Sequence, residues 1–399
     1  MCKKTLLLLF LVFVGCLANA QTTVAEYRAC LEKKGEDPVE YMFRQFETAD
    51  VVILGERDHR DVTQYELIMR LLADKRFAER VGYVYTEVGV TNMTESANRL
   101  VKSDWASEEE FQKALREHLH SEDYLFLWEK TNRSVLLDSI YRINQRLPED
   151  KRISLGLTDI AFDWAKWTSP AKYKKWVRKN TYHHDGEKTS VRDREVARNF
   201  LRLYRKQKPI DGHRKALVIW NQPHAVYSPN CKGAGYMVKK TLGADNVRIV
   251  CLNYYVCFTP GTFGFAASGG IGLVDDGRWD AAFSLTGDKP VGFDLKGTPF
   301  GKTKSWYWDD GTTWEDMADG YIFYVPFHKF KGSCGIKDIL DDECKPEMQR
   351  RLNVMYSAGE MPTNDWDAIC RYYNNVRTFP IPDEKTRKHM MEQLDKQVR

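Results

Sequence analysis

Residues 47–72, ETADVVILGERDHRDVTQYELIMRLL, place an apolar run, a polar loop and a helical pattern in immediate succession. The run Val51-Val52-Ile53-Leu54 has the length and β-branched content of a strand buried on both faces, and it ends at Gly55. Polar residues 56–60 then precede apolar residues at helical spacing. In an open parallel sheet, ligands bind beside the carboxyl ends of the strands. The segment therefore predicts an α/β fold with a polar site after its first strand.

Two residues of the polar loop, Glu56 and His59, have two interpretations. They are either the start of a functional site or a local helix cap and ion pair. A motif this short is common by chance, so the loop alone does not decide between them.

Three later segments, 81–85, 153–157 and 216–220, repeat the pattern of an apolar run followed by a polar side chain. If these runs are parallel neighbours of the first strand, their polar residues converge on one crevice. The converging residues are predicted to be Glu56 with His59, Glu87, Asp159 and His224.

The chain organisation predicted from these patterns is a mainly parallel central sheet flanked by helices. Residues 21–330 form the α/β domain, with a helical insertion at 92–147 that covers the sheet. Residues 258–301 are rich in glycine and aromatics and are predicted to form loops and short antiparallel strands. Residues 331–399 are predicted to be a charged helical segment. The pair His183-His184 is predicted to lie in a solvated loop.

The first twenty residues have the pattern of an export signal. Lys3 and Lys4 precede the apolar segment 6–14, and Ala18-Asn19-Ala20 is a small-residue cleavage site. Cleavage after Ala20 predicts an exported protein, periplasmic or secreted. The alternative is a lipid-anchored envelope form processed at Cys16, which would change its location and not its chemistry.

The charge balance of the chain argues against a nucleic-acid-binding protein, and its hydropathy argues against a membrane-spanning one. The formal charge falls from +4 to +2 without Lys3 and Lys4, whereas a nucleic-acid binder needs a concentrated basic face. No later apolar run reaches membrane-spanning length. The expected partner is a small-molecule substrate, with the oligomeric state left open.

Seven cysteines remain after the signal, and export permits disulfides between them. The most plausible local pair is Cys334 with Cys344, followed by Cys251 with Cys257. An odd count leaves at least one thiol unpaired. No CxxC pair is present, so zinc-finger spacing is absent.

The predicted cluster of carboxylates and imidazoles suits two chemistries. A histidine held by a carboxylate removes a proton from water. Alternatively, His59, Glu56, Glu87 and His224 hold a divalent transition metal that acidifies a bound water, although the first chemistry requires no cofactor. The sequence lacks GxSxG, HExxH and P-loop motifs, which disfavours a serine nucleophile.

Five motifs taken in order resemble the erythromycin esterase family, whose wider superfamily includes haem-uptake lipoproteins and certain metal-dependent proteases. The motifs span residues 51–255. They are Ile53-Leu54-Gly55-Glu56 followed by His59, a strand ending at Glu87, Leu157-Thr158-Asp159, the segment SVRDREVARN at 190–199, and a strand ending at His224.

The resemblance implies an α/β core and hydrolysis by an activated water. His59 would be the general base, Glu56 would orient it, and Glu87 and His224 would complete the pocket. Arg60 stands where the macrolide esterases usually have glycine, which leaves the substrate open.

Arg192 matches the arginine of the family's Arg-Asp motif, and the resemblance implies that it stabilises an oxyanion. The alternative is an ion pair on the helix surface with Asp193 or Glu195.

Three functions follow as hypotheses. The first is an exported hydrolase acting on esters or lactones. The second is an envelope haem- or metal-binding protein that uses His59 and His224 as ligands. The third is a structural or glycan-associated protein that uses exposed aromatics, although such side chains are more often in the core.

Overall fold

A seven-stranded sheet forms the centre of the described part of the chain, in the order β3-β2-β4-β1-β5-β9-β8. The computed structural model describes residues 21–128, 130–181, 189–229, 232–254, 256–257, 271–305 and 311–399. All neighbouring strands of this sheet are parallel except β8, which is antiparallel to β9. The predicted α/β fold with a mainly parallel sheet is confirmed.

The strands are β1 Val51–Glu56, β2 Tyr83–Val90, β3 Ser154–Asp159, β4 Ala216–Asn221, β5 Val247–Leu252, β6 Val256–Cys257, β7 Ile271–Gly272, β8 Val291–Asp294, β9 Gly320–Phe323, β10 Lys331–Cys334 and β11 Arg377–Pro380. Strands β6 and β7 form a separate antiparallel pair, as do β10 and β11.

The α-helices of the described residues are α1 Val24–Lys34, α2 Pro38–Thr48, α3 Val62–Ala73, α4 Lys75–Arg80, α5 Thr94–Lys102, α6 Glu108–Ser121, α7 Lys130–Asn144, α8 Pro170–Thr181, α9 Val191–Lys206, α10 Gln222–Ala225, α11 Ala234–Leu242, α12 Arg278–Leu285, α13 Pro299–Lys302, α14 Trp314–Met317, α15 Lys345–Ala358, α16 Trp366–Tyr373 and α17 Glu384–Val398.

Strand β1 is buried on both faces, as its uninterrupted apolar run predicts. Val52 and Leu54 belong to one apolar core, and Val51 and Ile53 belong to the core on the opposite face. Helices α5, α6 and α7 of the insertion pack into the first core. The sheet therefore separates two cores, and β1 is its middle strand.

The structure corrects three details of the predicted elements. The helical pattern after the polar loop gives two helices, α3 and α4, which are divided at Asp74, whose side chain caps α4. Within 258–301, residues 278–285 form helix α12 instead of a loop or strand. The segment after residue 330 contains the antiparallel strand pair β10 and β11 in addition to its helices. The local sequence does not reveal this pair, because helices α15 and α16 lie between the two strands.

The predicted disulfides are absent, since Cys334, Cys344 and Cys251 are free thiols. The signal segment, the pair His183-His184 and residues 258–270 lie outside the described residues. No helix within the described ranges is long and apolar enough to cross a bilayer.

Candidate functional site

Four adjacent strands place polar side chains at the carboxyl edge of the sheet. Asp159 is the last residue of β3, and Glu56 is the last residue of β1. His59 lies in the loop after β1, and His224 lies in α10, which begins directly after β4. Because these strands are parallel neighbours, the convergence predicted from the sequence is present.

Glu87 lies within β2 and not after it, which corrects the predicted strand end. The pairing of β2 with β3 changes register between Thr86 and Val90, because four steps along β2 oppose two along β3. Such bulges redirect side chains near functional sites. The oxygen Oε2 of Glu87 accepts a hydrogen bond from the backbone N–H of Asn221 at 3.0 Å, which ties the carboxylate to the end of the neighbouring strand β4.

Gly89 makes this bulge possible. Its φ of +109° lies in a region that L-residues rarely adopt, and a Cβ atom at this position would lie 3.0 Å from Cδ1 of Leu157. The bulge that aims Glu87 therefore depends on glycine for both its backbone angle and its packing.

The imidazole of His59 is held between two carboxylates. Its Nδ1 is hydrogen-bonded to Oε1 of Glu56, and its Nε2 lies 3.1 Å from Oε1 of Glu87. The hydroxyl of Tyr65 donates to the other oxygen of Glu56 at 3.2 Å. Glu56 therefore fixes the orientation of the ring and directs Nε2 into the crevice.

These carboxylates control the protonation of His59. Burial alone would lower the pKa of His59, but the negative charges of Glu56 and Glu87 outweigh it and raise the pKa well above its ordinary value. Burial would likewise raise the pKa of Glu87, but the charges of His224, His59 and Arg192 hold that pKa far below its ordinary value. The imidazole therefore keeps its proton to higher pH than an exposed histidine.

A second carboxylate and imidazole pair faces the first. Nδ1 of His224 lies 2.7 Å from Oδ1 of Asp193. Asp193 is the third residue of α9, where Ser190 caps the helix and its hydroxyl donates to Oδ2 of Asp193 at 2.6 Å. Burial opposes the charged form of Asp193, but His224 and Ser190 lower its pKa. The start of α9 therefore fixes His224.

Arg192 lies between the two pairs and is buried. Its Nε and Nη2 donate to the two oxygens of Asp159 at 3.1 and 2.9 Å, a bidentate pair. Its Nη1 lies 3.0 Å from Nε2 of His224. The alternative of a surface ion pair is wrong, because Asp193 binds His224 and Glu195 pairs with Arg198.

The contact between Arg192 and His224 defines the tautomer of the ring. Arginine has only donors, so Nε2 of His224 must accept and Nδ1–H must donate to Asp193. Burial and Arg192 lower the pKa of His224, whereas Glu87 and Asp193 raise it, and the net shift is upward. A ring that takes up a proton must give up its contact with Arg192.

Three nitrogen atoms of basic side chains surround one oxygen of Glu87. His59 Nε2 lies at 3.1 Å from Oε1, Arg192 Nη2 at 3.8 Å and His224 Nε2 at 3.9 Å. The side chain of Glu87 is 1% exposed, whereas those of His59 and His224 are 13% and 24% exposed. The carboxylate of Glu87 therefore lies at the bottom of the crevice, and the imidazoles of His59 and His224 form its more accessible walls.

Trp128 closes one side of the site, which the sequence does not predict. Its ring meets that of His59 edge to face at 5.0 Å between centroids, and the guanidinium of Arg192 lies 5.3 Å from it. The preceding residue, Leu127, has a φ of +47°, a strained conformation for a residue with a side chain. This backbone geometry turns the loop between α6 and α7 towards the site.

The loop after β1 is fixed by a buried arginine. Arg57 donates to Asp61 at 2.8 Å and to the side chain of Asn253 at 3.0 Å, and its guanidinium lies 3.9 Å from the ring of Phe330. Asn132 of α7 donates to the backbone carbonyl of His59 at 2.8 Å. The position of His59 is therefore set by three separate parts of the chain.

Sequence reasoning did not assign roles to Asp193, Tyr65 or Trp128. A signal for Asp193 was present, since a serine three residues before an acidic residue marks a helix start. For Tyr65 and Trp128 the sequence carries no such signal, because both reach the site through tertiary packing.

The donor set does not fit a divalent metal ion. No group of three or more His, Cys, Asp or Glu side chains in the described ranges is arranged to hold one. The positive charge beside Glu87 and His224 is supplied by the guanidinium of Arg192. A metal ion in contact with the same atoms would have to displace a buried cation that is paired with Asp159.

The chain matches no protein-family model and no curated protein. Solved structures similar to it include a succinoglycan biosynthesis protein, at 12% identity and a TM-score of 0.51, covering 76% of this chain and 97% of that one. A mutant of erythromycin esterase EreC in its open conformation has 11% identity and a TM-score of 0.47, covering 71% and 92%. ChaN of Campylobacter jejuni, with cofacial haem, has 14% identity and a TM-score of 0.32, covering 56% and 86%.

At these identities the likeness is one of fold. The alignment with the succinoglycan biosynthesis protein extends over nearly all of that chain and agrees with the α/β architecture described above. Activity has to be inferred from the site itself.

Proposed function

We propose that the protein is a hydrolase that cleaves an ester or lactone bond with a water activated by His59. The observation that carries this proposal is the pairing of His59 with Glu56 at Nδ1, which directs Nε2 towards Glu87 in an accessible crevice. A base oriented by a carboxylate is the arrangement that proton removal from water requires.

In the proposed first step, neutral His59 and Glu87 together bind the water. Nε2 of His59 and Oε1 of Glu87 are both acceptors once the imidazole has lost its proton, and they lie 3.1 Å apart. Two acceptors repel each other at this distance, so they move apart as a water molecule enters and donates one hydrogen to each of them. Its oxygen attacks the carbonyl carbon as its proton moves to Nε2.

Arg192 then stabilises the negative charge that forms on the carbonyl oxygen. Its guanidinium is fixed by Asp159 and by His224, so it needs no reorganisation when the charge develops. When the tetrahedral intermediate collapses, the bond to the leaving oxygen breaks and Nε2–H of His59 protonates that oxygen. The products are a carboxylic acid and an alcohol, or a hydroxy acid from a lactone.

The direct test is turnover of activated aryl esters and of lactones by the purified mature protein. We expect multiple turnovers by the wild-type protein on at least one ester. A folded protein that hydrolyses none of these substrates above the rate in buffer would contradict the proposal.

The pH dependence of kcat/KM follows from the raised pKa of His59. The base acts only without its proton, so kcat/KM should rise with pH up to the raised pKa of His59 and level off above that pKa. Glu87→Gln removes a negative charge that raises this pKa, so the rising limb should move to lower pH. The pH at which kcat/KM reaches half of its plateau is read from the pH–rate profile of each protein. This pH does not depend on the value of kcat/KM at the plateau.

Glu66→Gln is the control for the pH profile, because Glu66 is exposed on α3 and its replacement also removes one negative charge. We expect its limb to coincide with that of the wild type. A wild-type limb centred at or below pH 6.5, or a Glu87→Gln limb that does not move, would be incompatible with His59 as the base.

The second candidate function, metal or haem binding, is favoured by one feature. Each imidazole is held at Nδ1 by a carboxylate, as in many metal ligands. With Arg192 in place, however, we expect substoichiometric metal by elemental analysis, turnover that survives chelation, and no Soret shift on adding haem. Stoichiometric metal whose removal abolishes turnover and whose return restores it would overturn the metal-free mechanism.

Export is also part of the proposal, on the pattern of residues 1–20. We expect the mature protein isolated from a native-like host to begin at Gln21. Intact-mass measurement distinguishes this form from one beginning at a lipid-modified Cys16.

A further inference from the structure

A second cavity lies beside the proposed catalytic site. It has a volume of about 210 Å³ and is bounded by the loop before α7 and by the chain after residue 333. Its walls are mainly apolar and aromatic, and include Leu125, Phe126, Trp128, Ile336, Met355 and Tyr373. None of these residues except Trp128 takes part in the site described above.

Trp128 is shared between the cavity and the catalytic site. Its ring contacts the imidazole of His59 and the guanidinium of Arg192, and it also lines the cavity. A group seated in the cavity therefore lies against the same indole as the two side chains proposed to carry out the reaction.

Hydrogen bonds also join the cavity wall to the catalytic loop. The backbone N–H of Ser333 in β10 donates to the carbonyl of Arg60 at 2.9 Å. Thr131 donates to the carbonyl of Gly335 at 3.0 Å, and the next residue, Asn132, donates to the carbonyl of His59. The cavity and the loop that carries His59 are thus parts of one hydrogen-bonded framework.

The cavity is suited to an uncharged apolar group. The ammonium group of Lys130, which lies at its edge, is buried and paired with both Glu122 and Asp123. Its charge is therefore already satisfied within the protein. Glu360, which is partly exposed, and Cys334 also line the cavity. Most of the other side chains offer aromatic or aliphatic surface, and the adaptable side chain of Met355 is among them, which favours a ring or a chain.

The volume limits the size of the group. An enclosed apolar cavity of about 150 Å³ accommodates benzene. A cavity of about 210 Å³ thus takes a single ring with a few additional carbons, or a short alkyl chain. It is too small to enclose a macrocycle.

We propose that this cavity binds the apolar group of the substrate, about one ring or a short alkyl chain, while the scissile carbonyl lies beside His59. The proposal rests on the hydrolase function above and narrows it to esters that carry such a group. Leu127 contributes through its strained backbone, which holds Trp128 as the wall between the two compartments.

The first experiment compares kcat/KM for three esters: ethyl acetate, ethyl 3-phenylpropanoate and 3-phenylpropyl acetate. The phenyl group lies on the acyl side in one and on the alcohol side in the other. We expect at least one to exceed ethyl acetate by about tenfold or more, because filling an apolar pocket discriminates by that order. Equal values for all three esters would overturn the proposal.

A cavity-filling variant tests the location of the phenyl group. Met361 lines the cavity and is partly exposed, so Met361→Trp should narrow the cavity with little effect on the core. The ratio to compare is kcat/KM for the preferred phenyl ester divided by kcat/KM for ethyl acetate. We expect this ratio to fall towards one in Met361→Trp. Leu285→Trp, at an exposed position on α12, is the control and should keep the wild-type ratio.

Binding of 3-phenylpropan-1-ol, measured by calorimetry, separates this proposal from the hydrolase function. If no ester is hydrolysed but the alcohol binds to the wild type and not to Met361→Trp, the cavity assignment holds and the hydrolase function fails. If esters are hydrolysed without preference and the alcohol binds equally to both proteins or to neither, the cavity assignment fails and the hydrolase function stands.

Discussion

His59→Gln is expected to lower kcat/KM towards an activated ester by about 10²–10⁴-fold, the usual contribution of a general base. Glutamine retains a polar side chain of similar size but cannot take up a proton from water. Glu56→Gln should have a smaller effect, because an amide oxygen still accepts the proton on Nδ1 of His59 but supplies no charge. Steady-state kinetics on the ester that the wild type hydrolyses best will measure both changes.

The matched control is His213→Gln, since His213 is exposed and lies in the loop before β4. It should have wild-type kinetics. Thermal unfolding followed by circular dichroism should show that the His59 and Glu56 variants remain folded at the assay temperature. A folded His59→Gln protein with unchanged turnover would exclude His59 as the base.

Arg192→Lys is expected to lower kcat/KM by about 10²–10³-fold, the range found on removing an oxyanion donor. Lysine keeps the positive charge but cannot bind both oxygens of Asp159 and reach His224 at the same time. Because charge on the carbonyl oxygen develops mainly in the transition state, kcat should fall more than KM rises. The two constants are obtained from full saturation curves.

Replacing Arg192 by an uncharged residue would be harder to interpret. It would leave Asp159 as a buried, unpaired charge, and breaking a buried pair typically destabilises a protein by about 3–5 kcal/mol. Lysine limits that loss, and Arg198→Lys on the exposed face of the same helix is the matched control. If Arg192→Lys raised KM alone, Arg192 would bind substrate without stabilising the transition state.

The strand ends were the most predictable part of the site. The uninterrupted apolar run of β1, and the carboxylates and histidines after the other runs, are enough to predict Glu56, Asp159 and His224 at one edge of the sheet. The prediction is correct because a run that is apolar throughout is typical of a strand buried on both faces of a parallel sheet. The carboxyl ends of such strands lie at the same edge of the sheet.

The contacts between side chains were less predictable. Nothing in the local sequence shows that Arg192 turns towards Asp159 while its neighbour Asp193 turns towards His224. That choice depends on how α9 lies against β3. The bulge around Gly89 and the strained turn at Leu127 likewise depend on packing between segments far apart in the chain. The family resemblance, more than residue periodicity, identified Arg192 as a candidate.

The pairing of β10 with the loop after β1 affects how the protein can be shortened for expression. A fragment ending near residue 330 would contain every side chain proposed to take part in bond cleavage, yet it would lose the cavity wall formed after residue 333 and the strand whose Ser333 is bonded to Arg60. The fragment would also end at Phe330, whose ring lies against the guanidinium of Arg57. A residue at the chain terminus is poorly held in place, so this contact would be weakened. Inactivity of such a fragment would therefore reflect a loosened scaffold, and affinity tags are better placed after Gln21 than near β10 and β11.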